Sequence, residues 1–226
     1  MSAETQLSVS RWFGKIESTF HRHPKSPDPD IFRVSNDPTE GCTNVGRSGW
    51  HIDGTFLKEP FKVQTMHFWS VSEHGTTHFS PLKEIVEELE PCVRKKWDEL
   101  WFVSNHSVIH PLLYRHPVTK EPTMCFHCGE PFIEAFFSNY NSTDNSVEKI
   151  YSWAETKRVL QEITEKLEYS KFKYSHKWEL GDFALMDNLA IAHYADPGTQ
   201  IPRSEDGLRI LHRTTVAGNY GPPTKQ

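Results

Sequence analysis

The chain lacks any long run of like charge, and it has no apolar window approaching the roughly 18 residues that a bilayer-spanning helix needs. It has only four cysteines in 226 residues. Each shortage excludes something. With no long apolar window, and with a polar start (Met1-Ser2-Ala3-Glu4-Thr5-Gln6), neither a membrane helix nor a signal peptide is expected. A net charge of −5, drawn from both signs, argues against nucleic acid as the principal partner. The cysteines (Cys42, Cys92, Cys125 and Cys128) are too scattered for a disulfide framework, so a reducing, cytoplasmic location is expected. Cys125-Phe126-His127-Cys128 has CxxC spacing, but no second pair accompanies it to build a zinc site, and it reads as structural thiols. The sequons at Asn105 and Asn141 carry little meaning without a secretory signal.

Neither an internal repeat nor a strand–helix alternation is visible, so solenoids and doubly wound sheets are set aside. What is present is one domain's worth of chain, 1–226, with a short N-terminal region over 1–40 and a tail over 219–226. Arg11-Trp12-Phe13-Gly14 is expected to open a short element, and three prolines make 21–30 a loop. Strands are expected at 31–34, 62–69, 123–126, 177–179, 183–186 and 209–216, with Thr55-Phe56-Leu57 extending a strand that begins near Trp50. Ser80 followed by Pro81 predicts a helix start, with Leu82, Ile85, Val86 and Leu89 on its inner stripe. Pro91 should interrupt that helix before 93–100 resumes it. A capping box, Ser152-x-x-Glu155, predicts a second helix that buries Val159, Leu160, Ile163 and Leu167. The expected class is mainly β with flanking helices, a sandwich or jelly roll.

Within this frame one pattern carries chemistry. In an extended segment, His51-Ile52-Asp53 sends an imidazole and a carboxylate to the same side. His193, far downstream, could complete two histidines and one carboxylate on one face of a metal, the arrangement of non-haem Fe(II) oxygenases. Beyond it, period 2 places Arg209, Leu211, Arg213 and Thr215 on one face of an otherwise apolar strand. Buried arginines are costly unless they meet anions, and guanidinium suits a carboxylate.

Six ordered segments then resemble the taurine dioxygenase family. They are Trp50-His51-Ile52-Asp53-Gly54-Thr55-Phe56, Gly75-Thr76-Thr77, the stretch from His116 to Pro122, Trp178-x-x-Gly181-Asp182, Asp187-Asn188 with His193-Tyr194-Ala195, and Arg209-x-x-His212-Arg213-Thr214-Thr215-Val216. The resemblance runs over about residues 45–218. It implies a double-stranded β-helix (jelly-roll) core, with Fe(II), 2-oxoglutarate as co-substrate, and O2. It further implies that His51, Asp53 and His193 are the metal ligands and catalytic centre. Thr77 and Arg209 would bind the distal carboxylate of 2-oxoglutarate, and Arg213 would meet the substrate. The reaction implied is hydroxylation, or oxidative cleavage, of a small anionic or zwitterionic metabolite with release of succinate and CO2. Asp53 argues against halogenation, because halogenating members lack that carboxylate. Family members are commonly dimers or tetramers, so a homo-oligomer is compatible.

Two departures stand out. The His-x-Asp pair lies several dozen residues earlier than is usual for the family, which would make this a pared-down version, open the pocket or leave a partner to cover it. The loop Gln200–Asp206 lengthens the spacing from His193 to Arg213. The remaining histidines, His127 and His212 among them, read as ordinary surface or core residues, and Phe102, Phe126, Phe132, Phe136 and Phe137 as core. A jelly-roll protein that binds metal or ligand without turnover, or a subunit of a larger assembly, is the competing expectation.

Overall fold

A computed structural model describes residues 1–17, 22–46 and 48–220. His21, at the edge of the expected loop, and residues 221–226 of the expected tail lie outside the described residues. Helix α1 (Ala3–Trp12) is capped by Ser2, whose hydroxyl accepts from the Thr5 backbone N–H. Arg11 and Trp12 therefore end an element rather than open one. The strands β1 (Phe32–Ser35), β2 (Val63–Ser70) and β3 (Thr76–Pro81) follow. Ser80 belongs to β3, so the N-cap of α2 (Leu82–Glu87) is Pro81, with no side-chain capping bond. Ser80 lies one residue before that N-cap, paired with Ala192 in the β ladder. Leu82, Ile85, Val86 and Leu89 are buried as the stripe requires.

Pro91 is the first residue of α3 (Pro91–Glu99) rather than a break inside a helix. Leu100 starts β4 (Leu100–Ser104), followed by β5 (Ile109–Pro111), β6 (Leu113–Arg115), β7 (Pro122–Met124), β8 (Ile133–Ser138) and β9 (Lys149–Ile150). The capping box at Ser152 and Glu155 is formed in full at the head of α4 (Trp153–Glu168), and its four expected apolar residues are buried. The chain closes with β10 (Tyr174–Lys177), β11 (Phe183–Asp187), β12 (Ile191–Ala195), the short α5 (Arg203–Asp206) and β13 (Ile210–Val216). The strand expected at 177–179 lies three residues earlier, because His176 and Lys177 pair with Thr77 and Thr76 while Trp178 turns into the core.

One four-stranded antiparallel sheet runs β1-β13-β2-β11, and a three-stranded one runs β10-β3-β12. Between them pack Phe32, Val34, Met66, Phe68, Met186 and Leu211 from the first, with Phe79 and Ile191 from the second and Trp178 beside them. Two antiparallel sheets facing across one core are the jelly-roll architecture. A second core holds α2, α3 and α4 against β4 and β6–β8, around Trp97, Phe102, Phe126 and Phe136. Helix α1 covers the outside of the first sheet through a buried polar seam. Gln6 donates to the Thr65 hydroxyl and to the His212 carbonyl, and Ser10 bonds Thr214.

Candidate metal centre

His51 is not part of a regular strand. It sits in isolated bridges to two segments at once, His193 on one side and His127 on the other. Its backbone exchanges both hydrogen bonds with His193 (3.1 and 2.9 Å), which sets the two imidazoles side by side on one face, ring centroids 4.3 Å apart. Residues 53–57 then turn instead of extending the strand, with the Leu57 N–H bonded to the Gly54 carbonyl. Gly54 has φ +88°, and a Cβ there would lie 2.8 Å from the Phe61 nitrogen, so the turn needs glycine. The turn aims Asp53 back at the histidines. Ligand atoms of His51, Asp53 and His193 all lie within 4.8 Å of one another, and Nε2 of His193 is 3.4 Å from Oδ2 of Asp53.

Asn188, in the turn between β11 and β12, fixes Asp53 from behind. Its side-chain oxygen accepts from the Asp53 N–H at 2.9 Å, and its amide donates to the carbonyls of Asp53 (2.9 Å) and Phe61 (2.6 Å). Nδ1 of His51 lies 2.7 Å from the Gly49 carbonyl. A carbonyl can only accept, so Nδ1 carries the ring proton and the Nε2 lone pair is left for a metal. Burial, with His193 nearby, pushes the His51 imidazole down to about 4, so the ring is neutral at physiological pH. Burial opposes ionisation of Asp53, but Arg213 and His193 outweigh it and hold the carboxyl well below its usual range.

The expected anion receptors sit on the inner face of the first sheet. Arg209 precedes β13 and lies over the Phe68 ring at 4.9 Å; Arg213 lies over Phe32 at 5.2 Å. Burial pushes Arg209 down to about 10, which leaves it charged at neutral pH, and its Nε has no hydrogen-bond partner among the described residues. A buried charge with an unused donor fits a carboxylate co-substrate. Phe68 stacks on Trp178 at 4.1 Å, and the Trp178 indole donates to the Thr77 hydroxyl oxygen at 2.9 Å. That bond leaves the Thr77 O–H free to donate, so Thr77, Trp178, Phe68 and Arg209 form one continuous wall. Arg213 behaves differently: Nη1 donates to Oδ2 of Asp53 at 3.0 Å, while its Nε has no partner among the described residues. His212 turns to the opposite face, where Nε2 accepts from Arg33.

The loop Gln200–Asp206 is ordered and clasped. The Asp206 carboxylate bonds the His74 backbone N–H and ring, and Asn36 holds the carbonyls of Ile201 and Gly207. Sequence reasoning did not reach Asn188 as the Asp53 clamp, Gln64, whose amide lies 3.3 Å from the His193 ring, or His127. His127, read as ordinary, stacks on His51 at 4.4 Å. Phe132, expected in the core, is more than a third exposed and stacks on the other face of His127. In the CxxC segment, burial raises both Cys125 and Cys128, the latter to about 12, so neither thiol is poised for redox chemistry. No helix among the described residues is long and apolar enough to cross a membrane.

The model of a family described as Taurine catabolism dioxygenase TauD, TfdA family matches residues 1–215. The chain is 27% identical over 217 residues to a tyrosine isonitrile desaturase of Erwinia amylovora, covering 86% of this chain and 66% of that protein. It is 25% identical over 240 residues to an alpha-ketoglutarate-dependent sulfate ester dioxygenase of Pseudomonas putida, covering 91% and 71%. The chain thus spans 66% and 71% of the lengths of these relatives. Among solved structures it resembles a taurine dioxygenase from Burkholderia xenovorans, with TM-score 0.71, 24% identity, and coverage of 96% of this chain and 73% of that one. It also resembles AAD-2 in complex with Mn(II) and N-oxalylglycine, with TM-score 0.70, 21% identity, and coverage of 98% and 80%.

Proposed function

The chain belongs to the taurine catabolism dioxygenase TauD, TfdA family, whose dioxygenases use Fe(II), 2-oxoglutarate and O2, and on that premise we propose that it is an Fe(II)- and 2-oxoglutarate-dependent dioxygenase. Its proposed reaction hydroxylates a small anionic or zwitterionic metabolite and releases succinate and CO2. The observation that carries this reading is the convergence of His51, Asp53 and His193 within 4.8 Å, beside the buried Arg213 guanidinium that bonds Asp53 and keeps an unused Nε donor.

His51 and His193 would bind Fe(II) as neutral imidazoles, and Asp53 would bind it as a carboxylate. Bound there, the metal supplies the redox centre at which O2 is reduced as the keto acid is decarboxylated. The other residues bind and orient. Arg209 pairs with the distal carboxylate of 2-oxoglutarate, and Thr77 donates its hydroxyl hydrogen to the same group. Arg213 steadies Asp53 through Nη1 and keeps Nε for an anionic group of the substrate, which favours small acids as the substrate class. Phe68 and Trp178 exclude water from the Arg209 charge and so strengthen its hold on a carboxylate.

The first test is spectroscopic. Anaerobic addition of Fe(II) and 2-oxoglutarate to folded protein should give a weak visible metal-to-ligand charge-transfer band, and its absence would sink the co-substrate assignment. A screen of small acids, amino acids, sulfonates and phosphonates for stimulated succinate release then identifies the substrate. If no compound of these classes stimulates release, the anionic reading of Arg213 fails.

A further inference from the structure

Three histidines stand in a row across three neighbouring segments, because His51 is bridged to His193 on one side and to His127 on the other. The two neighbours are not equivalent. His193 is joined by reciprocal backbone bonds, its ring is tilted 53° to that of His51, and it belongs to the ligand cluster. His127 lies in the other kind of antiparallel pair. The flanking bonds, Ile52 N–H to Phe126 carbonyl and Cys128 N–H to Trp50 carbonyl, leave His51 and His127 opposed without bonding each other. In that pairing the side chains approach most closely. The His127 ring lies flat on His51, 13° between planes and 4.4 Å between centroids. Its Nδ1 accepts from the Gly129 N–H at 2.9 Å, which takes that nitrogen out of use as a ligand. Phe132 closes the far face at 4.1 Å and 22°, giving a stack of three rings.

We propose that His127 is a positioning residue for the metal ligand His51, acting through this stack with Phe132 as its backstop. The inference rests on the reading of His51 as a ligand. The bond from Nδ1 of His51 to Gly49 is a single restraint at one edge of the ring and still lets the ring rock about its Cβ–Cγ bond. The face-to-face contact removes that freedom and so fixes the direction of the Nε2 lone pair. A metal withdraws charge from the imidazole it binds, and an electron-poor ring stacks better on a neutral one, so metal binding and stacking reinforce each other. The bend that seats His127 is tightly made, since a Cβ on Gly129 would lie 2.8 Å from Cε1 of His127 and 2.7 Å from Cβ of Ser48.

The test is anaerobic Fe(II) titration of the 226-residue chain and of the variants His127→Ala, His127→Phe and Phe132→Ala, each checked for an intact thermal transition. Loss of a group that orients a ligand weakens metal binding about tenfold or more, so His127→Ala should show that loss, whereas His127→Phe, which keeps a stacking ring, should stay within about threefold of wild type. Phe132→Ala should fall between them, and its partly exposed position protects the fold if His127→Ala does not fold. Wild-type affinity in His127→Ala or in Phe132→Ala overturns the proposal, as does an equal loss in His127→Phe and His127→Ala. A wild-type protein that binds no Fe(II), or a His193→Ala variant that binds it normally, overturns the metal reading itself and this proposal with it.

Discussion

Replacing Asn188 by alanine should damage both the fold and the proposed metal centre, although this side chain is not among the proposed ligands. Asn188 is fully buried and satisfies three backbone groups, the N–H and carbonyl of Asp53 and the carbonyl of Phe61. A buried polar group left without its partner costs about 1–3 kcal/mol. Three such losses bound the effect from above, and a water entering the vacated space can rescue one of them, so the expected cost is about 3 kcal/mol. That is a large share of a typical domain's stability, which is about 5–15 kcal/mol. Urea unfolding of the metal-free protein measures it. Asn188→Asp should be worse than Asn188→Ala, because it places a carboxylate oxygen against two carbonyl acceptors. Fe(II) affinity should fall in both variants, since the turn that aims Asp53 has lost its clamp. The reasoning is refuted if Asn188→Ala loses less than about 1 kcal/mol, or if Asn188→Asp is the milder change.

Arg209→Ala should raise the 2-oxoglutarate concentration needed for half-maximal succinate formation by about ten- to a hundredfold, the loss of a charged hydrogen-bonded pair. An unchanged requirement would remove Arg209 from co-substrate binding. Acid should destabilise the protein through His110 and His212, both pushed down to about 4 by burial. The unfolded chain takes up protons near pH 6.5 and the folded one near pH 4, so stability is full above 6.5 and falls as pH drops towards 4, by about 3 kcal/mol per histidine. Urea midpoints between pH 7 and 4.5 should show the decline, and His212→Gln should flatten it; an unchanged slope in that variant would rule out His212 as a contributor.

Helices α2 and α4 and the longest sheet strands were legible because each announces itself locally, whereas α1 was not. The capping box at Ser152 and the apolar stripe of α4 need no knowledge of the rest of the chain, and β2 and β13 are rich in branched and aromatic residues. Where two local signals competed, the tertiary partner decided. Ser80-Pro81 carries a helix-start signature, yet Ser80 pairs with Ala192 in the second sheet, and the helix waits until Leu82. The helix expected over 93–100 stops one residue early, because Leu100 pairs with Ser138 and opens β4. Propensity could not arbitrate there, because the ladder partner lies more than thirty residues away.

The site divides along the same line. Metal chemistry dictates ligand types, so the proposed ligands His51, Asp53 and His193 could be picked out by identity and order, and the structure brings their ligand atoms within 4.8 Å of one another. The groups that aim those ligands are set by register, which residue identity does not encode. Asn188 reaches Asp53 across 135 residues. His127 faces His51 only because the Cys128 N–H meets the Trp50 carbonyl and the Ile52 N–H meets the Phe126 carbonyl. A slip of one residue would bring Phe126 or Cys128 opposite His51 and turn the imidazole away. Composition does not forbid that slip, since both residues already pack with the core that holds Trp50 and Ile52. Backbone bonding forbids it, together with the tight bend at Gly129. The same CxxC spacing that drew attention to two inert thiols therefore marks the segment for its histidine instead.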